Sequence, residues 1–392
     1  MAGSVILAGA RTPIGKLSGA FAGFSATDLG GFAIRAALER AGVSPEQIDY
    51  VFMGHVLGAG AGQITARQAA VNGGLALNVP ATTINKVCLS GLNAIYLADQ
   101  MIQAGDADIV IAGGMESMTN APYLLPNARA GYRLGDQSVV DSLMHDGLFC
   151  AFDQVAMGAG TQKYASSAGI ERDEQDDFAA ASHQRAALAA KNGLFDDEIV
   201  AVEVPQRKGD PLVVSVDEGV RGDTTTESLG GLRPAFDKAG NITAGNASQI
   251  SDGGSAVIVA SKAAAEKLGR EPLAEIVGFG QVAGPDASLL NQPSRAILAA
   301  LEKAGKSVGD VSLFELNEAF AAVGLASMAE LGITDEITNV NGGAIALGHP
   351  LGASGNRIAL HVALELKRRG GGLAAAALCG GGGQGDAILL QV

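Results

Sequence analysis

The sequence predicts an α/β protein built from two fused copies of one unit, and two observations carry that prediction. The segment Ala36-Ala37-Leu38-Glu39-Arg40-Ala41-Gly42 returns as Ala299-Ala300-Leu301-Glu302-Lys303-Ala304-Gly305. The stretch after each copy also repeats, at a nearly constant displacement: an acid-led apolar strand, a Ser-Gly pair opening a helix, and a small-residue strand ending in glycines. Strands alternating with helical stretches imply parallel strands joined by helical crossovers.

In the first half the elements are a strand at Asp49-Tyr50-Val51-Phe52-Met53, a helix from Ser90 to Ala104 and a strand from Ile109 to Gly114. In the second they are Asp310-Val311-Ser312-Leu313-Phe314, a helix opened by Ser354-Gly355, the run Ala374 to Gly382, and a last strand from Asp386 to Leu390. The runs Ile109-Val110-Ile111-Ala112 and Ala374 to Leu378 show no polar alternation, which suits a sheet covered on both faces. Between the halves, residues 119–248 differ in character. Their clearest element is a helix expected to be capped by Asp173, with Glu174, Asp176 and Asp177 near its start, Lys191 at its end and Gly193 as its stop. Residues 119–160 have weak periodicity and read as ordered loops or an oligomer contact. The expected organisation is 1–118 plus 249–270 as one half, 119–248 as an insertion, and 271–392 as the other half.

Composition narrows the function. The chain of 392 residues is 47% hydrophobic despite 55 glycines, so it has ample material for a core. A net charge of −14 argues against nucleic acid and anionic membrane as partners. Cys88, Cys150 and Cys379 are odd in number and lack CxxC spacing, which suggests neither a disulfide framework nor a zinc site. With no signal-like start and no apolar run of membrane length, a reducing, cytoplasmic setting is expected.

Four positions carry candidate chemistry. Cys88, in Asn85-Lys86-Val87-Cys88-Leu89-Ser90-Gly91, stands just before a helix, where free N–H groups and the dipole favour a thiolate nucleophile; a small buried cysteine is the plainer alternative. His349 stands in the corresponding turn of the second half, in a block with glycines at 342, 343, 348, 352 and 355. Cys379 ends the last small-residue strand before Gly380 to Gly383, whose N–H groups could form an oxyanion hole or simply a turn. Asn317, after the second-half strand, could hold a water or cap a helix. The other histidines, His55, His145, His183 and His361, lack such surroundings. The formal GxGxxG at Gly380 to Gly385 leaves too few residues for a dinucleotide fold, and Pro285 and Pro293 interrupt the helix that the related Gly278-x-Gly280-x-x-Ala283 would need.

Taken together, the Cys88 segment, the Asn317-Glu318-Ala319-Phe320 box, the His349 block and the Cys379-glycine block resemble the thiolases across essentially the whole chain. The resemblance implies a duplicated five-layer α-β-α-β-α fold with an inserted loop domain, assembled as a homotetramer or a dimer. It implies the reversible condensation of two acetyl-CoA to acetoacetyl-CoA and CoA by a ping-pong route. In these roles Cys88 carries the acetyl group, His349 is its base, and Cys379 handles the α-proton. Asn317 would hold an oxyanion-hole water, and the N–H groups of Cys88 and Gly381 would form a second hole. No metal or other cofactor is implied, since coenzyme A esters are the substrates. The implied coenzyme A contacts are Leu148, Met157, Arg221, Ser228, Leu232, Phe236, Ala244, Ser248, Ile250, Leu289, Ala319 and Phe320. Two positions depart from the best-known biosynthetic pattern: Ala156 replaces a common histidine and Leu289 a methionine. The competing readings are a 3-ketoacyl-CoA thiolase of fatty-acid breakdown and a noncatalytic thiolase-like lipid-binding protein; a nicotinamide-dependent oxidoreductase is disfavoured.

Overall fold

The computed structural model describes residues 3–392. Nine principal strands run in chain order: β1 Ser4–Arg11, β2 Tyr50–Gly54, β3 Ala81–Ile84, β4 Ile109–Ser117, β5 Ser251–Ser261, β6 Ala274–Ala283, β7 Leu313–Leu316, β8 Leu373–Gly380 and β9 Gln384–Gln391. Eight helices matter for the site: α1 Ala26–Ala41, α2 Thr65–Asn72, α3 Ser90–Ala104, α4 Met157–Ser167, α5 Arg172–Lys191, α6 Gln292–Ala304, α7 Ala321–Leu331 and α8 Leu351–Arg368.

The strands lie in the order β7-β8-β9-β6-β1-β5-β4-β2-β3. The first half reads β3-β2-β4-β5-β1 outward to inward, and the second repeats it as β7-β8-β9-β6, with a single parallel bridge from Phe314 to Thr338 where a fifth strand would lie. The halves join through two antiparallel pairs, Val5 with Glu275 and Ile6 with Ala274.

Helices α1 and α2 cover one outer face and α6 and α7 the other, while α3 and α8 pack on each other and touch strands of both halves. That gives five layers, with three large apolar cores. The central one holds Leu92, Ile95, Ile358 and Val362, and the outer ones hold Ile34 with Ile111 and Ile297 with Phe314.

The sheet is mixed, contrary to the parallel expectation. β2 pairs parallel with β3 and β4, and β7 with β8, but β5 and β9 run antiparallel to their neighbours. The reason lies between β8 and β9, where Gly381 to Gly383 leave room only for a hairpin and none for a crossover helix. In the first half the matching connection, from β4 to β5, is occupied by residues 118–250. Within that segment α5 is capped by Glu171, not Asp173: Glu171 and Glu174 form a reciprocal capping box. Residues 119–156 carry two short strand pairs and exposed Tyr123, Leu125, Leu134 and Phe152.

Candidate active site

The two central helices cross backbone to backbone, and glycine permits it. A Cβ on Gly91 would lie 2.8 Å from the Asn356 nitrogen, and one on Gly355 would lie 2.5 Å from the Leu92 nitrogen. These two contacts are related by the internal two-fold, which therefore passes through the crossing. A Cβ on Gly352 would meet the carbonyl oxygens of Met115 at 2.6 Å and Gly54 at 2.9 Å. Cys88 and His349 each stand two residues before their helix, so this close crossing carries both to one place. They are matched by location only, because the alignment that pairs Gly91 with Gly355 sets Cys88 opposite Gly352.

Cys88, His349, Cys379 and Gly381 line one cavity of about 300 Å³. Of the implied coenzyme A contacts, Leu148, Met157, Phe236, Ser248, Ile250, Leu289, Ala319 and Phe320 line it as well. Arg221, Ser228, Leu232 and Ala244 are exposed and lie outside it. Sequence reasoning missed Met118, Met144 and Gln249 on its wall, while Ala156 is present there. Most of the wall is apolar, which suits an acyl chain and a thioether stem, and residues 144–158 and 236–250 supply the half contributed by the insertion.

The nucleophile turn is strained. Val87 has φ 51°, a left-handed conformation that a β-branched residue rarely adopts. Its surroundings hold it there. The Val87 N–H donates to Asn85 Oδ1 at 3.0 Å, and the Ser90 hydroxyl donates to the Val87 carbonyl at 2.6 Å. Ser90 Oγ in turn accepts the Lys86 N–H at 2.8 Å. The sequence contains no signal for this conformation, since valine carries none.

Behind His349 the ring is oriented by Ser354, which pattern reading assigned only to the repeat. His349 Nδ1 lies 2.6 Å from Ser354 Oγ, and that hydroxyl is 3.0 Å from the Pro350 carbonyl. While it donates to Pro350, it accepts from Nδ1–H, which leaves the Nε2 lone pair free. Asn317 approaches Nε2 with its Nδ2 at 3.5 Å and is completely buried, while its Oδ1 has no protein partner. Glu116 at the end of β4 fixes the start of α8: its carboxylate accepts the N–H groups of Gly352 at 2.9 Å, Val56 at 3.1 Å and Leu57 at 3.0 Å.

Burial dominates the electrostatics. It pushes the Cys88 thiol up to about 12, against its own backbone N–H, so the helix terminus does not yield the low value expected from position alone. Burial also lowers His349 to about 3, with the Arg357 cation contributing. The Cys379 thiol is raised by burial and by the neighbouring Cys88. Burial thus favours the neutral form of both thiols and of the imidazole in the resting site. Cys150 is buried elsewhere, where its sulfur accepts the Asp153 N–H at 3.3 Å and closes a turn. Among the described residues no group of three His, Cys, Asp or Glu side chains could hold a metal, and no helix is long and apolar enough to cross a membrane.

The fold and cavity define a duplicated α/β protein with two cysteines and a histidine converging from its two halves. Comparison with known proteins gives that class its family. Residues 4–263 match the family description "Thiolase, N-terminal domain" and residues 270–392 match "Thiolase, C-terminal domain". The chain is 58% identical over 387 residues to a protein of Mycolicibacterium smegmatis named probable acetyl-CoA acetyltransferase, covering 99% of this chain and 100% of that one. It is 50% identical to the acetyl-CoA acetyltransferase of Cupriavidus necator, covering 99% and 98%, and 50% identical to a probable acetyl-CoA acyltransferase of Staphylococcus aureus, covering 92% of each. The chain belongs to the thiolase family.

Proposed function

We propose that the protein is an acetyl-CoA C-acetyltransferase that condenses two acetyl-CoA molecules by way of an acetyl group on Cys88. The observation that carries this reading is the convergence of Cys88, His349 and Cys379 on one largely apolar cavity. Cys88 attacks the thioester carbonyl while its proton passes to His349 Nε2; the expelled CoA thiolate takes that proton and leaves as CoA. In the second stage Cys379 gives its proton to His349 and, as thiolate, removes the α-proton of the second acetyl-CoA. The carbanion attacks the acetyl carbonyl, the carbon–sulfur bond to Cys88 breaks, and the Cys88 thiolate takes the proton held by His349, which leaves both thiols and the imidazole neutral again. A buried thiolate is a stronger base, which suits a weakly acidic carbon.

The enolate oxygen would sit beside His349 and a water held by Asn317, whose buried, unpartnered Oδ1 is suited to accept from that water. The tetrahedral oxyanion at Cys88 would be held by the N–H groups of Cys88 and Gly381. Ser354 serves both stages, because its hydroxyl can accept from Nδ1 or, turned, donate to it and so place a proton on Nε2. No cofactor enters this scheme: the thioester itself acidifies its α-carbon.

Arg221 is proposed to meet the nucleotide end of coenzyme A outside the cavity, with Ser228, Leu232 and Ala244 along the way. Residues 119–248 act in this reading as a coenzyme A and oligomer-contact domain between the halves 1–118 plus 249–270 and 271–392. Exposed Tyr123, Leu125 and Leu134 support a homotetramer, and three unpaired cysteines support a cytoplasmic setting.

Mass spectrometry after treatment with acetyl-CoA tests the reading. An adduct of one acetyl group on Cys88 is expected, absent in Cys88→Ala and retained in Cys379→Ser, whose condensation should fall by roughly a thousandfold. A Cys379→Ser enzyme that condensed normally would overturn the second-base role. A longer-chain 3-ketoacyl-CoA thiolase is the second reading, favoured by the adaptable Met118, Met144 and Met157 on the wall. Thiolysis of a long-chain substrate faster than that of acetoacetyl-CoA would select it.

A further inference from the structure

The nucleophile turn belongs to one half of the molecule, and a neighbour in sequence ties it to the other. Lys86 Nζ lies 2.7 Å and 2.8 Å from the two carboxylate oxygens of Asp386. Asp386 is on β9, opposite Leu378 on β8, and the next pair in that ladder is Cys379 with Gly385. Asp386 is only 3% exposed, and its carboxylate is also reached by Gln281 from β6 and Asn93 from α3. The backbone of Lys86 is held to α3 as well: its N–H donates to Ser90 Oγ at 2.8 Å, and its carbonyl accepts the Leu89 N–H at 3.2 Å. One residue therefore binds the strained Val87–Cys88 turn to the hairpin that carries Cys379. Neither Lys86 nor Asp386 lines the cavity.

The apolar contacts between these two segments have little directionality. Leu89 packs against Gly380, where an added Cβ would lie 2.6 Å from Leu89 Cγ, and Val87 lies against Gly381, where one would lie 3.5 Å from Val87 Cγ2. Such packing sets a distance of approach but permits sliding, whereas a two-oxygen ion pair with a buried carboxylate fixes both distance and direction.

We infer that the Lys86–Asp386 pair is a positioning device that sets the separation of Cys88 from Cys379, and so supports the carbon–carbon step more than acetylation. The Gly381 N–H of the hairpin serves the oxyanion in both stages, so any loss there is common to them, whereas the reacting groups of acetylation, Cys88 and His349, are joined through the α3–α8 crossing and not through β9. Condensation needs the α-carbon beside Cys379 and the acetyl carbon on Cys88 at bonding distance, and an error of about 1 Å there costs on the order of a hundredfold. The inference rests on the roles proposed for the two cysteines.

The test separates the stages. In Lys86→Met the aliphatic stem stays and the ammonium goes; burial already pushes the Asp386 carboxyl up, and loss of the ammonium moves it further toward the protonated form. Single-turnover acetylation of Cys88 should stay within about threefold of wild type, while condensation on pre-acetylated enzyme should fall roughly tenfold or more. Lys86→Arg, which keeps the ion pair, should restore it. Asp386→Asn should show the same split and should supply the result if Lys86→Met fails to fold; the double variant should be no worse than either single one. Equal losses in the two stages, an unchanged second stage, or failure of arginine to restore it would each overturn the positioning role. Wild-type protein that never acetylates Cys88 would instead sink the functional reading on which that role depends.

Discussion

Cys88 and His349 show how burial decides protonation at a site where helix position suggests the opposite. With the thiol pushed up to about 12 and the imidazole down to about 3, attack requires proton transfer at the moment of reaction and not a standing ion pair. Alkylation of Cys88 by iodoacetamide should therefore rise about tenfold per pH unit from about pH 6 to 9, because the thiolate fraction grows at that rate below the thiol's own value. A plateau beginning near pH 6 would reveal a preformed thiolate–imidazolium pair and refute the neutral one. Ser354→Ala leaves His349 Nδ1 without its partner at 2.6 Å, so acetylation and condensation should both drop roughly tenfold with KM little changed. A change confined to KM would count against ring positioning. Cys88, His349 and Cys379 stood out in the sequence as candidates because each stands in a glycine-marked turn at an element's end, and they share one cavity. Ser354, Glu116 and the left-handed Val87 did not stand out, because their roles depend on what the fold brings to them: a ring, two loops and a ladder of hydrogen bonds.

Among the elements, the α3–α8 crossing converts an internal repeat into a site. Gly352 has carbonyl oxygens at 2.6 Å and 2.9 Å from where a Cβ would stand, and both belong to backbone that cannot rotate away. Gly352→Ala should thus force α8 off β2 and β4, costing about 1–3 kcal/mol in denaturant unfolding. It should also lower acetylation of Cys88, since His349 precedes the same helix. Full stability with full activity would show that the crossing has slack. The repeat gave two chances at several elements: Ser90–Ala104 came out with the expected bounds, whereas the strand expected over Asp310–Phe314 runs Leu313–Leu316 after a short helical turn, and the helix expected to open at Ser354 begins at Leu351. Strand direction was not legible, because an apolar run has no polarity mark and only the connection decides it: three glycines make the β8–β9 turn a hairpin, and the first half conceals the same turn behind residues 118–250. The cap of α5 was misplaced for a local reason, as Glu171, Asp173 and Glu174 are all acids and only geometry selects the one whose side chain turns back.

For the molecule as a whole, the long segment between β4 and β5 must be fixed to both halves, since it supplies a large part of the cavity wall. One buried cluster does this. Glu198, from the segment, accepts Arg11 of β1 at 2.8 Å and pairs with His361 of α8 at 2.8 Å, while Asp217 of the same segment takes both guanidinium ends of Arg11 at 2.7 Å and 2.9 Å. The Arg11 guanidinium also stacks over Phe195 at 5.4 Å. Burial opposes ionisation of Glu198, but His361 and Arg11 outweigh it and hold the carboxyl down to about 2, below its ordinary 4.5. A depressed carboxylate contributes its full stabilisation above 4.5 and loses it as pH falls from 4.5 through 2. His361, held above its ordinary value, contributes fully below 6.5 and loses its share as pH rises through that raised value. Glu198→Gln breaks a buried pair and leaves two cations facing an amide, so it should cost about 3–5 kcal/mol near pH 6. Urea unfolding of wild type and variant should show that gap shrinking steadily below about pH 4.5. A gap that persists undiminished at pH 3 would mean that the Glu198 charge does not hold the segment, and that its docking rests on the Arg11–Asp217 pair and the packing around Phe195.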